Sequence, residues 1–526
     1  MTTASKAIVV GTGAGGLTAA AYLAKDGFDV VALDQADRIG GFLAPFTVDG
    51  YSFDPGVHYI GGARRGQLLD RVLGDLGIDV ERSFIELDPD GFDAYHFPDF
   101  EVRMCRGLER YRDRLIECFP QERTGLHRLF DFVARYHEAL RVWPLGRRLP
   151  RMSDLGAWRH LSVLRWLRSS FADLLGHMLH DPKARAVIAA PDGDVGLPPS
   201  QLSALTGIGV LDHYLGGAFY PRGGSGALRD ALVECATKHG ARFRTGADVT
   251  EILVRGSSVV GVQLASGERL EADVVVSDVD PTITFGKLLA RAEVPGRLRR
   301  KVERTKHSLS SFTIFLGLRR DLRERDLGAF NHWLYPTWDL EACYAPIVDG
   351  RIPDQLALFV SSSTSRDDSG RLAPAGCSTL QIVAFMPWQP FARWAEVPPE
   401  QRGADFHQLR REIADRMLAD VDRHLPGLVG DVAVERISTP LSNTDYVRTV
   451  QGGIYGPAHT ADQMGPWRFA ARTPIHGLVL AGAGVYGCGV ATCLATGRNA
   501  AAIAAGRVHT PRAVHARAEE LAATHP

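Results

Sequence analysis

Cysteine is scarce and unpatterned in this 526-residue chain. The seven thiols, Cys105, Cys118, Cys235, Cys343, Cys377, Cys488 and Cys493, are odd in number, never spaced as CxxC and never set beside a zinc-type histidine. That argues against a disulfide framework and against a metal site, and the thiols read as those of a reduced, cytoplasmic protein. An excess of one charge is missing too: 60 Lys and Arg stand against 61 Asp and Glu, so nucleic acid is not an expected partner. Six residues precede the first apolar run, which leaves no room for a signal or transit peptide. The longest charge-free stretch, Gly477 to Gly497, reaches the ~20 residues that cross a bilayer. Its six glycines read instead as strand, loop and helix, and no spanning segment is expected. With 45% apolar and 23% charged residues, the chain is ordinary in composition and long enough for two domains.

The residues that organise the rest lie between Ala7 and Gly41. Ala7-Ile8-Val9-Val10 is a short apolar run, Gly11-Thr12-Gly13-Ala14-Gly15-Gly16 follows, and Leu17, Ala20, Ala21, Leu23 and Ala24 fall at helical spacing. Gly27 closes that helix, and Val30-Val31-Ala32-Leu33 forms a second buried strand ending at Asp34. The pattern is a βαβ start with a GxGxxG turn. Gly11 suits the tight turn, Gly13 the approach of a pyrophosphate, and Gly16 the close packing of helix on strand. The amides of Ala14, Gly15 and Gly16 open a helix, where unpaired N–H groups and the dipole favour an anion. Asp34 is placed to accept from a ribose hydroxyl, which completes an ADP site and disfavours a 2′-phosphate. Arg38, Gly40 and Gly41 then bring the chain past the phosphates a second time, with a cation available. The two motifs together resemble flavoproteins of the glutathione-reductase-related class, which bind FAD.

The expected fold is α/β: a discontinuous, Rossmann-like FAD-binding domain of that class with a mixed α+β substrate domain. Residues 1–82, 215–284 and 441–526 are assigned to the first, and 83–214 and 285–440 to the second. Phe46 to Asp54 reads as a hairpin over Asp49-Gly50, and Asp70 to Leu76 and Ala227 to His239 as helices. Ala241 to Arg244, Asp248 to Val254 and Val259 to Leu264 read as a β-meander, and Asp273 to Ser277 as a buried strand returning to the main sheet. Phe312 to Leu318, Leu356 to Ser361 and Thr379 to Phe385 read as half-buried strands, and Phe406 to His424 as an amphipathic helix. Residues 141–170 carry seven arginines against one acid, Asp154. Here Leu161, Leu164, Leu167, Phe171, Leu174, Leu175 and Met178 share one face of an expected helix. A basic helix of this kind suits a membrane surface, while the pattern alone favours a core-packed helix with a solvated basic side.

Four further strings carry a more specific resemblance. Tyr220-Pro221-Arg222-Gly223-Gly224-Ser225-Gly226, Gly240-Ala241 with Val249 and Ile252, Val274 to Pro281, and Gly477 to Ala483 with Gly497-Arg498-Asn499-Ala500-Ala501 resemble the phytoene desaturase family. Phe53-Asp54-Pro55-Gly56-Val57-His58-Tyr59-Ile60-Gly61 is similar to its retinol saturases, with carotenoid isomerases as near relatives. The resemblance implies FAD, with Gly56, Val57, Val249, Gly482, Val490 and Ala491 joining the N-terminal residues around it. It also implies saturation, desaturation or isomerisation of carbon–carbon double bonds in an apolar polyene or isoprenoid. Gly482-Ala483-Gly484-Val485-Tyr486-Gly487 is formally a second GxGxxG, but no second strand with an acidic tip follows the Ala491 to Ala505 helix. The loop is therefore expected to abut the flavin. Many relatives carry Asp where this chain has Gly484.

A saturase needs a proton donor beside the flavin. The resemblance brings two segments there, which offer His58, Tyr59, Tyr486 and Cys488, each of which has a plain packing role as its alternative. Two other functions stay open: a flavin-free prenyl or lipid carrier resembling Rab GDP-dissociation inhibitors, and an amine oxidase, whose aromatic cage is not identifiable in the sequence. One complete dinucleotide unit implies no NAD(P) site, so electrons come from or go to a partner, a quinone or oxygen.

Overall fold

The computed structural model describes residues 4–142, 160–290, 294–324 and 330–507. Lys6–Val10 lies at the centre of a five-stranded parallel sheet, flanked by Asp29–Leu33 and Val274–Ser277, with Arg242–Arg244 and Leu478–Leu480 at the edges. Parallel strands are covered on both faces, which is why the central three are Val, Ile, Leu and Ala except at a terminal residue, Lys6, Asp29 or Ser277. The Ala14–Lys25 helix packs on this sheet and on the helices Gly224–Lys238 and Val490–Ala504. Its Leu17 and Leu23 are fully buried, each contributing roughly 1.5–3 kcal/mol. The last helix crosses so closely that a Cβ on Gly497 would lie 2.2 Å from the Gly15 carbonyl oxygen.

The meander lies one strand further along the chain than expected. Arg242–Arg244 pairs in parallel with Val31–Leu33, so it is an edge of the main sheet, and the meander comprises Val249–Arg255, Ser258–Leu264 and Arg269–Glu271. Three residues of mixed polarity carry no signal for which sheet they join; the partner edge decides it.

The second large sheet has seven strands, ordered Val432–Ser438, Ser310–Leu318, Ser378–Met386, Leu358–Ser361, Asn331–Leu334, Asp93–Phe97 and Phe100–Met104. Ser310–Leu318 is buried at every position, against the expectation of half-buried strands. Phe312, Ile314, Leu316 and Leu318 belong to one core with Ile413, Met417 and Val421 of the Ala404–His424 helix. The alternate residues Ser311, Thr313 and Phe315 face a large cavity. The period of two is kept, and interior space stands where solvent was expected. Phe84–Glu86 still pairs with Ala218–Pro221, so the chain enters the seven-stranded sheet only at Asp93, beyond the crossing expected near residue 83.

The basic helix is also different. Leu161–Leu164 and Phe171–Met178 are separate, because Ser170 and Asp173 exchange side-chain bonds with each other's backbone amides and start a new helix. Leu161 is exposed and Val163 and Trp166 are buried, so no continuous apolar face runs from 161 to 178. Most of the arginine-rich stretch, 143–159, lies outside the described residues, as does everything after Arg507.

Candidate functional site

In a parallel sheet ligands collect beyond the carboxyl ends of the strands. A cavity of about 1560 Å3 opens there, lined by Gly11, Gly13, Ala14 and Gly15 after the first strand and by Asp34 after the second. Asp278 after Val274–Ser277 and Gly482 after Leu478–Leu480 continue the wall. Gly11 has φ +90, a backbone that strains any side chain, and a Cβ on Gly16 would lie 2.1 Å from the Gly11 carbonyl oxygen. Gly16 therefore serves close packing and stands behind the lining, as its place in the motif requires.

The Asp34 carboxylate accepts from the Thr12 amide at 2.9 Å, from the Thr12 hydroxyl, and from the Ala36 amide at 3.0 Å. The same hydroxyl accepts from the Gly40 amide at 3.2 Å. These bonds bring the two glycine passes together: a Cβ on Gly41 would lie 3.6 Å from Gly13 Cα. Arg38 lines the cavity half-exposed beside Asp37. Gly56, Val249 and Val490 also line it, whereas Val57 and Ala491 are buried behind the surface.

Asp278 was not singled out from the sequence, although its place after a buried strand was a usable signal. Its carboxyl lies beside the amides of Gly13 and Gly16, and a Cβ on Gly13 would be 2.6 Å from its Oδ2. Burial, with the Asp34 charge adding, pushes it up to about 7 despite those amides. Gly484 lines the cavity with its Cα turned to Pro281: a Cβ there would meet the ring at 2.3 Å, so the Asp of many relatives has no room.

The four donor candidates separate. His58 lines the cavity, but burial and the Arg366 cation pull its imidazole down to about 4, leaving it neutral at ordinary pH. Cys488 lines it too, with burial pushing the thiol up to about 12. Tyr59 stands behind the wall, its hydroxyl between the Asp93 and Asp194 carboxylates, and burial with those charges holds the phenol well above its usual range. Tyr486 is not brought to the cavity: the loop carries its ring toward the last helix, where its oxygen accepts from Asn499 Nδ2 at 3.1 Å.

The opposite wall is aromatic, with Phe315, Trp333, Tyr335, Phe359, Phe385 and Tyr455 from the seven-stranded sheet and its neighbours. Asp194 opens on the cavity here, and Asn331 donates to Asp93 at 2.8 Å while accepting from Arg366 at 2.8 Å. None of Asp93, Asp194, Asn331 and Arg366 carried a motif, because they meet only in the folded chain.

The cavity exceeds the roughly 300–1,000 Å3 of common ligand pockets. Because Gly11, Gly13 and Gly15 leave the helix N-terminus bare of side chains, the phosphates of a dinucleotide can reach its amides, and the aromatic end leaves room for a second, apolar molecule.

The chain is 28% identical to the all-trans-retinol 13,14-reductase of Danio rerio, over 98% of this chain and 88% of that protein. It is 28% identical to the zeta-carotene-forming phytoene desaturase of Myxococcus xanthus, over 88% and 86%. It is 26% identical to the chloroplastic prolycopene isomerase of Daucus carota, over 86% and 71%. Its fold is similar to that of a putrescine oxidase solved with putrescine, at TM-score 0.64 and 18% identity over 96% of this chain and 99% of the other. A Methanosarcina mazei oxidoreductase is similar at TM-score 0.61 and 17% identity, over 94% and 99%. The family described as flavin containing amine oxidoreductase matches residues 14–505. With that match running from the first helix, Ala14–Lys25, through the Gly482 loop, the chain belongs to the flavin containing amine oxidoreductase family, as an FAD-dependent oxidoreductase.

Proposed function

We propose that the protein acts on carbon–carbon double bonds of an apolar polyene of the retinoid or carotenoid kind. The aromatic wall facing the glycine cradle across one cavity carries this reading, because it suits a long conjugated chain laid against a flavin. The relatives act, by their names, on retinol, phytoene and prolycopene. Bound FAD would supply hydride transfer. The chain's part is to hold pyrophosphate on the amides of Ala14 and Gly15, ribose on Asp34, and the ring beside the Gly482 loop and Val490. The described residues within 1–82, 215–284 and 441–526 form the nucleotide body in this reading, and those within 83–214 and 285–440 the substrate body.

Anaerobic incubation of dithionite-reduced holoenzyme with a retinoid or carotenoid tests the reading. A product heavier by two hydrogens identifies saturation, and unchanged mass with altered double-bond geometry identifies isomerisation; oxidised enzyme yielding a product lighter by two hydrogens identifies desaturation. Absence of all three, with turnover of a primary amine, overturns the proposal.

Among the described residues no helix is long and apolar enough to cross a membrane. All seven cysteines are free thiols, which fits a reducing compartment. The exposed Leu161 beside Arg165 and Arg168 supports peripheral contact with an anionic membrane, from which such a substrate would be drawn. Salt-sensitive sedimentation with anionic vesicles is the expected result, and none at low salt overturns it.

A further inference from the structure

Tyr59 stands between two acids: its hydroxyl oxygen is 2.9 Å from Asp194 Oδ2 and 3.0 Å from Asp93 Oδ2. A phenol has one hydrogen to give. With both carboxyls ionised, one of these contacts would oppose lone pairs away from water, so the trio keeps an additional proton on a carboxyl group. The surroundings choose which. Asp93 is wholly buried, takes the Asn331 amide on its other oxygen at 2.8 Å, and faces Arg366, which that same Asn331 bridges. It is the anion. Asp194 is half-buried among the phenols of Tyr59 and Tyr214, with the acid Asp192 two residues before it, and one side opens on the cavity.

The turn that carries it, Ala190–Asp194, is clamped by three side chains that themselves line the cavity. Tyr335 donates to the Ala190 carbonyl, Tyr455 to the Gly193 carbonyl at 3.1 Å, and Cys488 Sγ to the Asp194 carbonyl at 3.8 Å. Asp194 is thus fixed at the wall by both the aromatic side and the Gly482–Cys488 loop.

We propose that Asp194 holds the transferable proton of this cavity and exchanges it with a substrate carbon, with Tyr59 and Asp93 as positioning residues that keep that proton on Asp194. The step rests on the polyene reading. In a saturation the Asp194 O–H bond breaks and its proton is taken by one alkene carbon through the π electron pair, while the neighbouring carbon would take the hydride that reduced FAD supplies when bound. Two C–H bonds replace the π bond, and the Asp194 carboxylate regains a proton from solvent. Burial together with the Asp93 charge pushes Asp194 up to about 7, while Asn331 and Tyr59 limit the effect of burial on Asp93 to about 6. Neither His58, neutral above about 4, nor Cys488, pushed up to about 12, is as well matched to neutral pH.

The test compares wild type with Asp194→Asn, Asp93→Asn and Tyr59→Phe, all as purified holoprotein with flavin content measured. In infrared difference spectra at neutral pH, wild type minus Asp194→Asn is expected to show a protonated-carboxyl band that shifts in D2O and titrates near neutrality. Asp93→Asn removes the neighbouring charge and is expected to move that titration to lower pH, a change that a purely structural role would not cause. Reduced Asp194→Asn with flavin bound should turn over a polyene about 100-fold more slowly or worse, and Tyr59→Phe should displace the alkaline limb of the pH–rate profile. Absence of the difference band, an Asp93→Asn titration identical to wild type, or full turnover by Asp194→Asn overturns the proposal. If wild type reduces or isomerises no polyene yet the band appears and moves as described, Asp194 stands as the proton store and the polyene reading alone falls. Should Asp194→Asn fail to fold, the Asp93→Asn titration decides.

Discussion

On one side of the cavity Thr12 and Asp34 meet across 22 residues of chain, whereas on the other Tyr59 meets Asp194 across 135 and Arg366 reaches the His58 carbonyl across 308. The first half is built mostly from backbone: glycines, the amides of a helix end and the carboxyls of Asp34 and Asp278. The second is built from side chains that the folded sheet must bring together. A backbone site should fail when anything is added to it, and a side-chain site when one partner is taken away.

Gly13→Asp is the severest test of the first half. It places a carboxylate against Asp278 and in the pyrophosphate position, and a like charge ~4 Å away at an effective dielectric near 20 costs about 4 kcal/mol, roughly a thousandfold in affinity. The variant should purify without yellow colour, and flavin retained at wild-type stoichiometry would contradict the cradle. The matching cut in the second half is Arg366→Ala, which strips the His58 carbonyl, the Asn331 Oδ1 and the Ser361 hydroxyl of a donor and leaves Asp93 buried without its cation. Loss of about 3 kcal/mol is expected from the urea midpoint; an unchanged midpoint would mean that the cluster is not held by this charge.

Asp34→Asn should be milder, because the amide still fills the turn. Losing a charged acceptor for the ribose costs about 2 kcal/mol, a ~30-fold rise in the FAD Kd by titration of the apoprotein. Asp278 adds a pH dependence. In the folded chain it is held up to about 7 against 3.8 ordinarily, so between those values the fold binds a proton that the unfolded chain releases. Its contribution is full below 3.8 and is lost as pH rises through about 7. Apoprotein melting should therefore decline over that window, with a shallower slope in Asp278→Asn; identical slopes would show that Asp278 is ionised throughout. Asp93 and Asp194 act in the same direction and should retain part of the decline. The smallest effect is expected from Tyr486→Phe, which loses the bond to Asn499 outside the cavity: ~1 kcal/mol in stability, with the flavin spectrum and turnover unchanged. A marked fall in turnover would return Tyr486 to the donor candidates.

Legibility followed the same divide. The βαβ start, Gly11, Gly13, Gly16, Asp34 and the second pass at Gly40-Gly41 were readable because each requirement is local: a turn, a close approach, a strand end. The Phe46–Phe53 hairpin and the Ala404–His424 helix were readable from turn chemistry and period. Arg242–Arg244 reads as part of the meander because a short edge strand does not specify its partner, and Leu161 to Met178 reads as one helix because its apolar spacing runs straight through the Ser170–Asp173 cap. The strands Asp93–Phe97 and Phe100–Met104 do not stand out in the sequence because aromatic and charged residues mix through them: the first is buried at all but one position and so loses its alternation, and the second alternates over too few residues to be told from a loop.

The sequence by itself determined the glycine turn, the helix it opens and the acid that ends the second strand, since glycine placement and one carboxylate act through the chain's own backbone over a few turns. Only the tertiary structure decided which acids share a proton. Asn331–Leu334 pairs in parallel with Asp93–Phe97, and the register sets Asn331 opposite Asp93, so that the amide satisfies one buried carboxylate and leaves Asp194 as the proton's holder. A slip of one residue in that register would turn Asn331 to the other face. No local pattern encodes such a pairing, because it depends on which strand edges meet across more than two hundred residues.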